Sequence, residues 1–273
     1  MPCKSLVLSG CQDAAHNGLL NNVGFPARFC HFLGLSPEAP IPDAKALWVL
    51  GECLRQESLM DQRFTRLLSQ IDDAGFTVCK GQIVAAALVP VPRQRNSRED
   101  NQKIKEGNRP PEWSDNQRRQ LDVEACWTKK HGKSHYGYKN HRSLDAKHKI
   151  VRRYAVTATG MHDSQVFDEL LDTDNSSRTI CAASAYRSQE REDGLCEAGD
   201  RSHIHRRGAR GQALNAREKE ANLKRSPVRV RVEQIFAQHP DRLVRTICQA
   251  RASIKVGLMN IVYNMRCFAW LAG

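Results

Sequence analysis

Residues 82–91 read Gln82-Ile-Val-Ala-Ala-Ala-Leu-Val-Pro-Val91. The run is apolar, β-prone and short, and it closes on prolines. Those features favour a buried strand over a helix. Upstream, residues 36–75 read as two helices. Asp43 is a plausible N-cap for the first, with Leu47, Leu50 and Leu54 on one stripe. Met60, Phe64, Leu67, Leu68 and Ile71 form the stripe of the second, and Gly75 sits where a C-cap belongs. Residues 1–35 show no period.

Downstream, residues 93–120 are polar, charged and interrupted by Pro110-Pro111. They are expected to form a surface insertion or a disordered loop. Residues 135–144 and 149–157 are rich in Tyr, His, Ile and Val, and read as a hairpin turning at Asp145-Ala-Lys-His148. Asp163 or Ser164 can cap a helix over 164–172, with Val166, Phe167, Leu170 and Leu171 on its apolar side. Thr179 to Ala185 is a short strand candidate. Ser226-Pro227 reads as a helix start, with Val228, Val232, Ile235 and Phe236 as its buried face. Residues 256–271 form a last helix. A hairpin beside parallel-type strands with helices between them predicts a mixed α/β sheet flanked by helices.

The chain has 273 residues, a net charge of +12 and a mean hydropathy of −0.57. No run approaches the roughly 18 apolar residues of a membrane helix. The first 24 residues lack a signal-like apolar core. A cytoplasmic protein with no membrane partner is expected. None of the ten cysteines stands at Cys-x-x-Cys spacing, which disfavours a zinc site of the paired type. Reduced thiols are the expectation.

The charge is uneven. Residues 1–80 hold 7 basic and 8 acidic side chains, and the rest hold 35 and 22. Residues 201–231 alone contain ten Lys or Arg against two Glu. Smaller clusters are Lys129, Lys130 and Lys133, and Arg93, Arg95 and Arg98. One cluster is ordinarily a solvated face. Three in one basic body favour a polyanion such as double-stranded DNA. Glu233 stands out in the last basic stretch. It is either an i,i+4 partner of Arg229, worth a few tenths of a kcal/mol, or a carboxylate held on a helix to bind a metal among phosphate-holding arginines.

The ordered blocks carry a resemblance. They are Gly81-Gln-Ile-Val with Val89-Pro-Val-Pro-Arg-Gln-Arg-Asn-Ser-Arg-Glu99, Trp127-Thr-Lys-Lys, Lys133-Ser and Gly137-Tyr-Lys-Asn-His141. His162-Asp-Ser-Gln-Val-Phe, Ser184-Ala-Tyr-Arg-Ser, Ile204-His-Arg-Arg and Arg229-Val-Arg-Val-Glu233 follow in order. Leu243-Val-Arg-Thr-Ile, Gly257-Leu-Met-Asn and Tyr263-Asn-Met-Arg complete the set, and Phe32-Leu-Gly-Leu and Pro42-Asp-Ala-Lys precede it. From about residue 29 onward, the chain resembles bacterial insertion-sequence DDE transposases.

That resemblance implies an RNase-H-like mixed sheet flanked by helices (residues 76–273, with the insertion at 93–120) behind an N-terminal helical module of DNA-binding type (1–75). It implies two Asp and one Glu gathered around two Mg²⁺ ions that cleave and transfer insertion-sequence ends. It also implies dimers or larger assemblies. Carried over, the Glu is Glu233, the retained catalytic acid and metal ligand. The first Asp falls at Ala85 and the second at Ala183. A further acid falls at Ala158. Alanine has no ligand oxygen, so metal binding is disfavoured and catalytic inactivity is expected. The DNA-contacting residues expected are Arg93, Arg95, Lys129, Lys130, Lys133, Arg206, Arg207, Arg210, Arg229 and Arg231. The alternative is a non-catalytic DNA-binding remnant that inhibits an active transposase.

Other acids between the two alanines are Asp122, Glu124, Asp145 and Asp163. The last two are more simply a turn residue and a helix cap. A covalent recombinase acting through Tyr186 or Ser184 is a weaker rival. An RNA-binding role is poorly supported at 6% aromatic content. Gly208-Ala-Arg-Gly211 lacks the Lys-Ser/Thr of a nucleotide-binding loop.

Overall fold

A computed structural model describes residues 44–56, 59–108, 110–130, 132–173, 175–208, 212–237 and 243–273. The first unit pairs the helices before Gly75 with Ser253–Gly273, and the second is Phe76–Ala252. From Ser253 the C-terminal helix groups with the N-terminal helices.

In the first unit, α1 (Ala44–Gln56) and α2 (Leu59–Asp73) pack together. Leu54, Met60, Phe64 and Ile71 are buried, as the two stripes predict. Gly75, at φ +89°, ends α2 in the left-handed region that glycine enters without a Cβ penalty. Asp43 and the whole of residues 1–35 lie outside the described residues.

The second unit is built on a six-stranded sheet. Its strands are β1 (Gln82–Pro90), β2 (Cys126–Lys130), β3 (Lys133–Asp145), β4 (Val151–Ala158), β5 (Thr179–Ala182) and β6 (Arg201–Ile204). The order is β2-β3-β1-β5-β6, with β4 also paired to β3. β3 runs antiparallel to β1, β2 and β4, while β5 and β6 lie parallel to β1 and to each other. The predicted strand and hairpin are thus both present, and the hairpin turns on Asp145 as expected. An antiparallel hairpin joined to a parallel trio is the topology of an RNase-H-like sheet.

Side-chain alternation divides the sheet into two faces. On one, Val84, Ile180, Ala182 and Ile204 pack with Val166, Phe167, Leu170, Tyr186 and Leu195 in a buried apolar core. The other carries Ala85, Arg142 and Cys181. Gly81 allows β1 to enter this arrangement. Its φ is +93°, and a Cβ there would lie 2.5 Å from the Thr179 carbonyl oxygen.

Three expectations need correction. The insertion at 93–120 contains two short helices, α3 (Arg98–Lys105) and α4 (Asp115–Gln120). Each opens with a capping box, Ser97 with Asp100 and Ser114 with Gln117, so polar end groups compensate for the missing apolar period. Residues 164–172 form two 3₁₀ turns, Asp163–Val166 and Asp168–Leu170, in place of one helix. Lys139 holds the Asp163 carboxylate at 2.7 Å, so His162 supplies the cap.

The third correction concerns Ser226-Pro227. It does not begin a helix but lies inside one, α6 (Ala216–Ala237). Asn215 and Glu218 cap that helix reciprocally, at 2.8 and 3.1 Å. Within it, the Ser226 hydroxyl donates to the Asn222 carbonyl at 2.9 Å. The side chains of Val232, Ile235 and Phe236 lie outside the described residues. The sequence reading also missed β2, β6 and α5 (Gln189–Glu197). The last helix, α7, runs over Gln249–Leu271.

Candidate active-site face

β1 and β5 bring the two alanines of interest into line. Their parallel register pairs Gln82 with Ile180, Ile83 with Cys181 and Val84 with Ala182. Ala85 and Ala183 are the next residues along each chain. β5 stops there because Ala183 leads into a 3₁₀ turn, Ser184–Tyr186, in which the Tyr186 N–H donates to the Ala183 carbonyl at 3.0 Å. The carboxyl ends of parallel strands, where Ala183 stands, are where such sheets usually carry their sites.

Arg142 is paired with Ala85 across β3. Direct cross-strand partners share a face, and Arg142 is 2% exposed. The sequence reading did not single this residue out. Its signal was a charged residue in step with Tyr138 and Leu144 on a buried strand. Ala158 ends β4 opposite Tyr138, on the same face as Ala85.

α6 packs against β1 and β5. Its Arg225 donates to the Ile204 carbonyl at 2.7 Å. Burial pushes the Cys181 thiol up, while the Arg225 charge pulls the other way. The backbone of Glu233 belongs to this helix. Its side chain, with those of Arg229 and Arg231, is outside the described residues, as is Arg210.

The other acids are committed elsewhere. Asp122 is buried and accepts from the Tyr138 hydroxyl at 2.6 Å and from the Glu124 and Ala125 N–H groups. Glu124 accepts from the Gln249 N–H. Asp145 accepts from the Cys79 and His148 N–H groups, and Asp163 is paired with Lys139. The Tyr186 ring is buried beside Phe167, and burial raises its phenol far above the ordinary value. That opposes its use as a nucleophile.

Of the predicted DNA-contacting residues, Arg93 lies with its guanidinium 5.8 Å from the Trp127 ring on β2. Lys129 and Lys130 continue that strand, Lys130 is paired with Lys133, and all three lysines are exposed. Trp127 itself is 46% exposed. Arg95 and Arg207 are exposed. Arg206 forms an ion pair with Glu218 at 2.9 Å, which offsets its charge. Among the described residues, no helix is long and apolar enough to cross a membrane.

The six-stranded mixed sheet flanked by helices is that of an RNase-H-like fold. Residues 72–265 match the transposase DDE domain family, and the chain belongs to that family. No solved structure matches the chain. Its function is of transposase type, and the family typically works on DNA with divalent metal. The residues at this face do not fit a two-metal centre. Two of the three expected ligand positions carry methyl groups, and a buried guanidinium stands opposite one of them.

Proposed function

We propose that this chain binds the ends of its insertion sequence as a transposase does but does not cut them. The observation that carries the reading is the alignment of Ala85 and Ala183 on adjacent parallel strands, at the positions assigned to the two lost aspartates. Glu233 on α6 is the third position, and the one acid retained. A single carboxylate cannot neutralise two dications, and Arg142 adds positive charge beside Ala85. Metal stabilisation of phosphoryl transfer amounts to several kcal/mol, so losing it lowers the rate by on the order of 10³-fold or more.

The exposed lysines of the β2–β3 ribbon, with Arg93, Arg95 and Arg207, supply the cationic surface for duplex DNA. Arg206, Arg210, Arg229 and Arg231 belong to the same proposed footprint. Binding by these residues requires no metal. The purified chain should retard DNA carrying the element's terminal sequences and leave it intact in Mg²⁺ or Mn²⁺. The A85D/A183D double variant should cut it, at a rate about 10³-fold or more above the natural chain. Cleavage by the natural chain at the rate of the double variant would refute the proposal.

A further inference from the structure

A second cluster of metal-ligating groups lies at the opposite end of β1, on the other face from Ala85. Asp145, the last residue of β3, pairs with Gln82, three positions before Ala85 and so about 10 Å along the strand. We propose that Cys79, Asp145 and His148 form a binding site for a Zn²⁺-like transition-metal ion that clasps the loop before β1 to the β3–β4 turn.

The ligand atoms of these three residues all lie within 4.8 Å of one another. Asp145 is fully buried. One of its oxygens accepts from the Cys79 N–H at 3.1 Å and the other from the His148 N–H, which fixes the carboxylate and leaves lone pairs over. The His148 side chain is 8% exposed, and its ring stands edge-on to Phe76 at 5.6 Å.

The decisive atom is His148 Nδ1. It sits 3.2 Å from an Asp145 oxygen yet makes no hydrogen bond. An imidazole nitrogen and a carboxylate oxygen this close can ligate one cation together. Ligands at about 2.0–2.2 Å around a tetrahedral Zn²⁺ lie roughly 3.3–3.5 Å apart.

Thiol, imidazole and carboxylate together select zinc or a similar ion over Mg²⁺. Binding forms a metal–sulfur bond and releases the Cys79 proton to solvent. One thiolate and one carboxylate then balance the dication. Cys79 is partly exposed, so solvent can reach the site and supply a fourth ligand. The spacing Cys79, Asp145, His148 falls outside the paired-cysteine patterns that sequence reading looks for.

The test uses the full chain, reduced and stripped with chelator, then titrated with Co²⁺ while thiolate-to-cobalt absorption and Tm are followed. One saturable equivalent is expected, with a charge-transfer band and a raised Tm. Cys79→Ser should abolish the band, and both Cys79→Ser and His148→Gln should weaken uptake by at least about tenfold. Cys126→Ser should leave it unchanged. Asp145 is left intact because its carboxylate holds the turn. Absence of saturable uptake, or uptake that survives either substitution at 79 or 148, would overturn the site.

Discussion

Tyr138 and Asp122 show how much of this sheet rests on single polar contacts. Both are buried, and the phenol donates to the carboxylate at 2.6 Å. A buried hydrogen bond to a charged group contributes about 1.5–3 kcal/mol. Tyr138→Phe should lower stability by that amount in urea unfolding, with no change in DNA affinity. His141 gives a pH prediction. It is fully buried against Thr157 at 2.8 Å, and burial, opposed by Asp163 and assisted by Lys139, lowers its pKa to about 4. The unfolded chain takes up the proton near the ordinary histidine value, and the native state resists until about pH 4. Stability is therefore full above about pH 6.5 and falls as pH drops toward 4, by at most about 1.4 kcal/mol per pH unit for this one residue. His203, also lowered chiefly by burial, acts in the same direction. His141→Gln should flatten the slope of unfolding free energy against pH between 6 and 4. An unchanged slope would remove His141 from the account.

Among the elements, α6 departs most from what its local sequence says. A serine followed by proline is a good helix start because proline lacks an N–H that the first turn does not need. Here the start lies at Asn215 and Glu218, and Pro227 interrupts the hydrogen-bond ladder from within. Asn215→Ala should lower stability by about 1 kcal/mol through loss of the cap, read as faster amide exchange over the first turn of α6. The entry to β1 is equally constrained. Gly81→Ala would place a Cβ at 2.5 Å from the Thr179 carbonyl oxygen at positive φ. The left-handed backbone alone costs an alanine about 1–2 kcal/mol. Thermal unfolding of that variant should begin well below that of the natural chain. Since Gly81 sits beside β5, the same change should disturb the alignment of 85 with 183 and abolish cleavage restored by A85D/A183D.

For the whole molecule, net charge and sheet topology make separate predictions. Binding to element-end DNA should weaken linearly in log affinity against log salt, and each lost phosphate contact should reduce the slope by about 0.9. Replacing Lys129, Lys130 and Lys133 with Gln should reduce it by up to about 2.7 without altering the fold, as read by circular dichroism. If the natural chain occupies DNA ends without cutting them, adding it in excess to the A85D/A183D variant should suppress cleavage. Failure to compete would mean that the two proteins do not share a DNA site.

The sequence alone determined the β1 strand, the β3–β4 hairpin, the two N-terminal helical stripes and the transposase-type blocks. Each is written locally, in hydrophobic period, turn residues or motif order. Reading Ala85 and Ala183 as lost ligands rests on those blocks and belongs to the proposed function. Tertiary structure decided what local chemistry leaves open. Asp163 gave its carboxylate to Lys139 instead of a helix, and Pro227 was carried inside α6. Arg142 was buried opposite Ala85 by pairing across β3. Register between distant strands put 85 beside 183, and a turn meeting a loop brought Cys79 to Asp145 and His148. Such contacts join residues tens of positions apart, where no periodicity or short motif can record them.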